Sequence, residues 1–320
     1  MTLSPFIENK ALKKWLKIMP IFENYMKNNK KKLKMKIRKG IPDSLRGEVW
    51  LKISGAEKLR VGNENLYKDL IKSINEDENI VIPDEEVIIK DMHRTYPGSL
   101  LFAKRLGEGQ RTLFRTLSCY SIQNKKIGYV QGMGFLIAIF LSYLTEENAF
   151  WMMESIMKNY NLQELYYLGF PGLKKELFVF LKLMQKLLPN IFRHFSKYKI
   201  YPTIYASSWY LTIFTNALSY DIVLRIMDCF LFEGKKILHR ISLAILALKE
   251  NEILSKKNLA EIMNVMKNIE ENIDLDLLFK KGFDFSISRK QILKYEKLYN
   301  DYQKRIKTGD EDILIQVKME

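Results

Sequence analysis

An all-α fold is what the 320-residue sequence predicts, and three observations carry that expectation. Apolar residues recur at spacings of three and four along most of the chain, no segment keeps up a strand-like alternation, and only 15 glycines and 8 prolines interrupt it. Such sparse punctuation favours long helices over a barrel or sandwich, and the length suffices for a large core in one or two closely packed domains. At 47% hydrophobic and 28% charged, the chain is too apolar for intrinsic disorder and too charged for a polytopic membrane protein.

The elements follow in order. From Asn9 to Asn29, Leu12, Trp15, Leu16, Met19, Phe22, Tyr25 and Met26 alternate with lysines at helical spacing, which reads as an amphipathic helix. A basic run, Lys30 to Lys39, ends at Gly40-Ile41-Pro42-Asp43-Ser44, where Pro42 at a first-turn position opens a helix through Leu45, Val49 and Leu51. A helix from about Asp84 to His93 is stopped near Pro97-Gly98. Helical patterns continue over Gln110 to Ser121, Phe135 to Leu144, Glu147 to Asn159, Lys174 to Leu188 and Tyr210 to Ala217. Further ones cover Asp221 to Phe232, Leu238 to Asn251, Lys257 to Asn268 and Lys290 to Arg305.

Two uncharged stretches, Ile127 to Thr145 and Ile200 to Tyr220, are long enough to cross a bilayer. Gln131, the interior glycines, Pro202, Thr203, Ser207, Ser208 and Asn216 make them poor lipid-facing segments, so both read as parts of a buried helical core.

Charge is unevenly placed. The net +15 is concentrated in the first 40 residues, where twelve Lys/Arg face two Glu, leaving +5 for the other 280. Such an arm is a solvated face or linker, a surface for anionic membrane, or a nucleic-acid contact. Lys30 to Lys39 carries no interleaved aromatics for base stacking, which weighs against specific nucleic acid.

Several chemistries lack their residues. Cys119 and Cys229 are too few for a disulfide framework or a cysteine-rich metal site, and His93, His194 and His239 are isolated, so no metal is expected. A phosphate-cradling Gly-x4-Gly-Lys loop and a Gly-x-Ser-x-Gly elbow are both missing. The opening residues show neither a leader pattern nor a myristoylation signal, which together with the cysteine usage predicts a reducing, cytoplasmic setting.

Two short motifs remain. Ile88, Asp91 and Arg94 are three apart, so on a helix Asp91 can hold the Arg94 guanidinium, with Thr95 and Pro97 just beyond. Gly128 and Gly132 bracket Tyr129-Val130-Gln131, which favours a loop, and in an extended loop Tyr129 and Gln131 would point to the same side. Each residue also has a plainer role. Asp91 and Arg94 make an ordinary helix pair, Gln131 a buried amide, Tyr129 and Trp50 core aromatics, and Arg46 stacks on Trp50 or pairs with a carboxylate.

Taken together, Arg38-Lys39-Gly40-Ile41-Pro42 with Arg46 and Trp50, Ile88-x-x-Asp91-x-x-Arg94-Thr95 with Pro97, and Tyr129-x-Gln131-Gly132 resemble the TBC family of Rab GTPase-activating proteins. The likeness runs on through Phe150-Trp151, Leu188-Pro189, His194, Trp209, Phe214, Arg225, Asp228 and Glu233-Gly234, covering about residues 38 to 280. Met227 stands where the family often carries tryptophan, a packing change.

The resemblance implies a multi-helix domain of two helical subdomains over 38–280, preceded by a basic helical arm over 1–37 and followed over 281–320 by a closing helix and a short tail. It implies a GTPase-activating protein for GTP-bound Rab GTPases in vesicle trafficking, working by a dual-finger mechanism. Arg94 is the arginine finger and Gln131 replaces the glutamine of the GTPase. The chain then activates an enzyme without covalent chemistry of its own: it needs no cofactor, and GTP and magnesium arrive on the partner. Asp91, Tyr129, Thr95, Gly132 and Arg46 are expected to support the fingers, and Gly40, Ile41, Pro42, Trp50, Ile88, Pro97, Trp209, Asp228 and Gly234 to build the fold. Residues 10–39 offer an anionic membrane contact, placing the protein in the cytoplasm or peripherally on endomembranes. The rival reading is a non-catalytic Rab-binding scaffold with a membrane-associating arm.

Overall fold

The computed structural model describes residues 5–77 and 79–305, and every regular element among them is a helix. The tail expected near 308–320 lies outside the described residues. The chain divides into two units. The first runs to Gln163 and is rejoined by Tyr220–Gly234; the second comprises Glu164–Ser219 and the chain from Lys235 onward.

In the first unit the helices are α1 (Pro5–Leu16), α2 (Phe22–Asn28), α3 (Lys30–Arg38), α4 (Asp43–Ser54), α5 (Ala56–Arg60), α6 (Leu66–Glu76), α7 (Glu85–Met92), α8 (Glu108–Gln123), α9 (Met133–Leu141) and α10 (Glu146–Asn159). The short α11 (Gln163–Tyr166) lies where the chain passes to the second unit. That unit holds α12 (Pro171–Leu187), α13 (Pro189–Lys197), α14 (Pro202–Tyr205) and α15 (Ser207–Leu211). Helix α16 (Tyr220–Glu233) returns to the first unit. Helices α17 (Lys236–Leu248), α18 (Glu250–Ser255), α19 (Leu259–Lys267), α20 (Leu275–Asp284) and α21 (Arg289–Arg305) complete the second.

Helix α9, Met-Gly-Phe-Leu-Ile-Ala-Ile-Phe-Leu, is apolar on every side because it runs through the core of the first unit, with Leu136, Ile137, Ile139 and Phe140 fully buried. Trp50 of α4 meets Phe140 edge to face, ring centroids 6.1 Å apart. No helix among the described residues is long and apolar enough to cross a membrane.

Two sequence expectations are corrected. The helix expected over Asn9 to Asn29 is broken: α1 stops at Leu16 and a 3-10 turn at Met19–Ile21 precedes α2, because Pro20 cannot continue an α-helix. Within the arm expected to be helical, the lysine run forms helix α3, with Leu33 and Ile37, four apart, buried. The helix expected over Tyr210 to Ala217 ends with α15 at Leu211, since Ile213 and Phe214 take left-handed backbone with φ of 50° and 64°. Their full burial holds that turn and shows why apolar spacing alone misread it. Helices α6, α13 and α20 went unread although each carries apolar residues at helical spacing, such as Leu66, Leu70 and Ile74 of α6.

The core of the second unit encloses a polar knot. Glu176 of α12 is buried, with Lys235 Nζ at 2.5 Å and His239 Nε2 at 3.2 Å, while Tyr210 Oη lies 2.8 Å from His239 Nδ1. Burial alone would raise the Glu176 pKa, but His239 and the Lys235 ammonium outweigh it and hold the carboxyl down at about 2. In the same unit Arg240 of α17 caps the end of α20, Nη1 donating to Gly282 O at 2.6 Å and to Phe285 O at 2.8 Å.

Candidate functional site

Helix α7 is the base of the site. Ile88, Asp91 and Met92 turn into the core, and His93 caps the helix, so Arg94 stands in the turn just past its end. Arg94 Nε donates to Asp91 Oδ1 at 2.5 Å, with 51% of the arginine side chain exposed against 1% for the aspartate. The pair is therefore a buried anchor with a free tip, unlike an ordinary surface pair between two mobile side chains. Thr95 Oγ1 donates to Asp91 O at 2.8 Å and locks the turn, and Tyr96, left-handed at φ 46°, redirects the chain ahead of Pro97.

The second segment is tied to the same carboxylate. Asp91 Oδ2 accepts the Gly132 N–H at 2.7 Å and the Tyr129 hydroxyl in a short contact, so with Arg94 it satisfies three donors. Burial, and next the Asp91 carboxylate, push the Tyr129 pKa up, which keeps the phenol a donor. Gly128 at φ +64° and Gly132 at φ +101° make the turns into and out of the segment. The Tyr129 N–H is held by Asp84 Oδ2 at 3.0 Å.

The same-side expectation for Tyr129 and Gln131 is corrected here. The segment is a tight turn, so Tyr129 points inward to Asp91 while Gln131 is exposed, and Gln131 is not a buried amide. The two are linked only indirectly, Tyr129 through its hydroxyl on Asp91 and Gln131 through Arg94, which Asp91 also holds. With its amide oxygen turned toward the guanidinium, Gln131 accepts from Arg94 Nη1 at 2.7 Å and also from Nη2. A planar cation and a primary amide thus lie side by side at the surface, each with further hydrogen-bonding capacity.

The Gly40-Ile41-Pro42 segment and α4 form a separate brace. Asp228 of α16 is fully buried and accepts the Ile41 N–H at 3.0 Å, Arg46 Nε at 3.3 Å and Trp50 Nε1 at 2.8 Å. Arg46 also donates to Ile41 O at 2.9 Å, contacts Asp43, and lies 5.2 Å from the Tyr143 ring centroid; of its two expected roles it takes the carboxylate pairing. Arg38 grips Glu233 with two bonds, 2.6 Å and 2.8 Å, just before the turn at Gly234. Trp209, stacked with Phe214 at 5.7 Å, packs inside the second unit. The expected residues hence separate into the Arg94–Gln131 cluster, the Asp228 brace and a core aromatic of the other unit.

Sequence reasoning missed two members of the Arg94–Gln131 cluster. A Cβ on Gly134 would lie 3.1 Å from Thr95 Oγ1 and 3.3 Å from Tyr129 Oη, so that glycine lets α9 approach the turn. Asp84 read only as the start of a helix, since nothing local links it to Tyr129 45 residues later. Among the described residues no group of three or more His, Cys, Asp or Glu is placed to hold a metal ion.

Known proteins resemble the chain over this same region. The model of the Rab-GTPase-TBC domain matches residues 43–254. The TBC1 domain family member whacked of Drosophila melanogaster is 33% identical over 264 residues, covering 82% of this chain and 71% of that protein. The Rab GTPase-activating protein eat-17 of Caenorhabditis elegans is 33% identical over 301 residues, 93% of this chain and 32% of that one. The chain spans about a third of the length of eat-17 and of other relatives it matches. A crystal structure of the Chlamydomonas flagellar RabGAP TBC domain superposes with a TM-score of 0.71 at 28% identity, over 88% of this chain and 96% of that one.

Proposed function

The chain belongs to the Rab-GTPase-TBC domain family, and on that footing we propose that it accelerates GTP hydrolysis by a GTP-bound Rab GTPase, supplying Arg94 and Gln131 in trans. The observation that carries the reading is the exposed Arg94–Gln131 pair secured from beneath by one buried carboxylate. Phosphoryl transfer asks little covalent chemistry of the protein. It needs an attacking water held in line and the charge growing on the phosphoryl oxygens neutralised.

The Arg94 guanidinium meets the second need. It is permanently charged, forked, and already oriented by Asp91, so little freedom is lost when it enters the partner's site. An arginine supplied in trans is worth about 10³ to 10⁵ in rate, or roughly 4 to 7 kcal/mol of barrier. The Gln131 amide meets the first, its oxygen accepting from the water and its nitrogen donating to a phosphate oxygen. Such a dual-finger arrangement leaves GTP and magnesium to the GTPase and makes this chain an activator without covalent chemistry of its own. The cellular consequence is control of vesicle and membrane trafficking through the Rab cycle.

The α1–α3 surface supports a peripheral membrane contact on the cytoplasmic side. Lys36 loses basicity through burial and then through Lys14 and Lys39, which places cations of α1 and α3 together, with Leu16 of α1, Ile21 of the 3-10 turn and Met35 of α3 exposed. Binding to anionic vesicles that weakens with salt and disappears on Lys14→Glu with Lys36→Glu is expected; salt-insensitive binding contradicts it.

The deciding experiment is phosphate release from a panel of GTP-loaded Rab proteins with the wild-type chain, Arg94→Ala and Gln131→Ala. Stimulation of one or a few Rabs that both variants lose is the expected result. Rab binding without stimulation would establish the scaffold reading instead.

A further inference from the structure

We propose that Asp84 is a positioning residue for Gln131, fixing the glutamine-bearing turn to the helix that carries the arginine. The role in activation rests on the GTPase-activating reading; the tether itself does not.

Asp84 occupies the N-cap of α7, where an aspartate side chain ordinarily accepts from the free N–H groups of the first helical turn. It makes no such bond. Its backbone is left-handed, φ 58° and ψ 25°, and its carboxylate instead takes the Tyr129 N–H at 3.0 Å. The turn that presents it is itself secured, since Ser121 of α8 donates to Pro83 O at 2.9 Å.

Gly128 leaves room for this approach. A Cβ there would lie 2.6 Å from Asp84 Oδ2, closer than any real contact, and its φ of +64° already disfavours other residues.

Asp91 holds the other end of the segment, accepting the Gly132 N–H at 2.7 Å. Two carboxylates seven residues apart, about two helical turns, thus grip two N–H groups on either side of Val130-Gln131. Asp91 alone would hold the segment through the Gly132 N–H and the Tyr129 hydroxyl, leaving the backbone at Tyr129 without a direct bond to the α7 end. With both, the glutamine and the arginine are set by one rigid element. Asp84 is exposed, so its bond competes with water and bears on the setting of the turn more than on global stability.

Two substitutions separate the acceptor from the backbone conformation. Asp84→Asn keeps an acceptor and tolerates left-handed backbone; Asp84→Gly keeps that backbone and removes the acceptor. In the free protein, amide exchange over residues 127–133 should quicken in Asp84→Gly and stay near wild type in Asp84→Asn. Equal protection in all three overturns the tether without reference to any GTPase.

On a Rab that the wild type stimulates, Asp84→Gly should lower the maximal stimulated rate roughly tenfold, the scale of one lost charge-assisted hydrogen bond, with the half-saturating concentration little changed. Asp84→Asn should restore the rate. A wild-type rate in Asp84→Gly, or equal loss in both variants, overturns the positioning role. If the wild-type chain stimulates no Rab, the activating reading and Asp84's part in it fall together, while the exchange result still decides the tether.

Discussion

Arg94 and Gln131 hold one another: the guanidinium donates to the glutamine amide oxygen, 2.7 Å from Nη1, before any partner is present. The bond keeps two long side chains from wandering.

From this pair follows the first expectation. Arg94→Ala should cost about 10³-fold or more in stimulated hydrolysis, and Arg94→Lys nearly as much, because an ammonium offers no planar fork to Asp91, Gln131 and phosphate at once. Single-turnover phosphate release measures both, and near-normal turnover by the lysine variant contradicts the role. A Rab whose own catalytic glutamine is replaced by leucine should still respond to the wild-type chain, since Gln131 brings the amide. Complete insensitivity of that Rab would sink the glutamine assignment and leave Arg94 standing.

Asp91 is buried beneath three donors, and its removal strands all of them. Asp91→Ala should lower unfolding stability by about 3 kcal/mol and abolish stimulation together. Urea unfolding followed by circular dichroism gives the stability. A midpoint unmoved by the substitution would mean that the three bonds contribute nothing net.

Trp50 offers the opposite dissociation. Trp50→Phe deletes one of the three donors to Asp228, and about 1–2 kcal/mol of stability should go with it, while stimulation well below the melting temperature stays near wild type. A parallel collapse of activity would transfer Trp50 from the brace to the Arg94–Gln131 cluster.

Glu176 makes the second unit acid-sensitive in a defined window. Its carboxyl sits at about 2 when folded, against an ordinary value of 4.5. A depressed carboxylate stabilises the fold above its unfolded pKa, and that contribution is lost as pH falls through 4.5 toward 2. Denaturant midpoints measured from pH 5 down to pH 2.5 should fall steadily in the wild type and less steeply in Glu176→Gln, from a lower starting point. Identical slopes would remove Glu176 from the linkage.

How much of this was legible beforehand depends on the range of each interaction. The Asp91–Arg94 pair was readable because it lies within one helical turn, and the bend around Gln131 because glycines flank it. The inward turn of Tyr129 was not readable. It depends on an aspartate 38 residues away in sequence, and an isolated segment carries no trace of that partner. Helix α3 looked like a solvated lysine run because Leu33 and Ile37 are only two of its nine residues, yet burying those two suffices to fix its face. The turn at Ile213-Phe214 failed for the converse reason, being apolar enough for a helix while tertiary packing imposes left-handed backbone.

The placement of Asp228 has a consequence for synthesis. Ile41, Arg46 and Trp50 leave the ribosome long before the carboxylate that joins them, which follows Ile41 by 187 residues. At ordinary elongation rates that interval is about 10–40 s, during which α4 carries a buried-to-be arginine without its main counter-charge. The first unit therefore closes only after the second has begun to emerge. In a chain stalled before Asp228, the Ile41 N–H, the Arg46 guanidinium and the Trp50 indole N–H all lack the carboxylate that joins them in the fold.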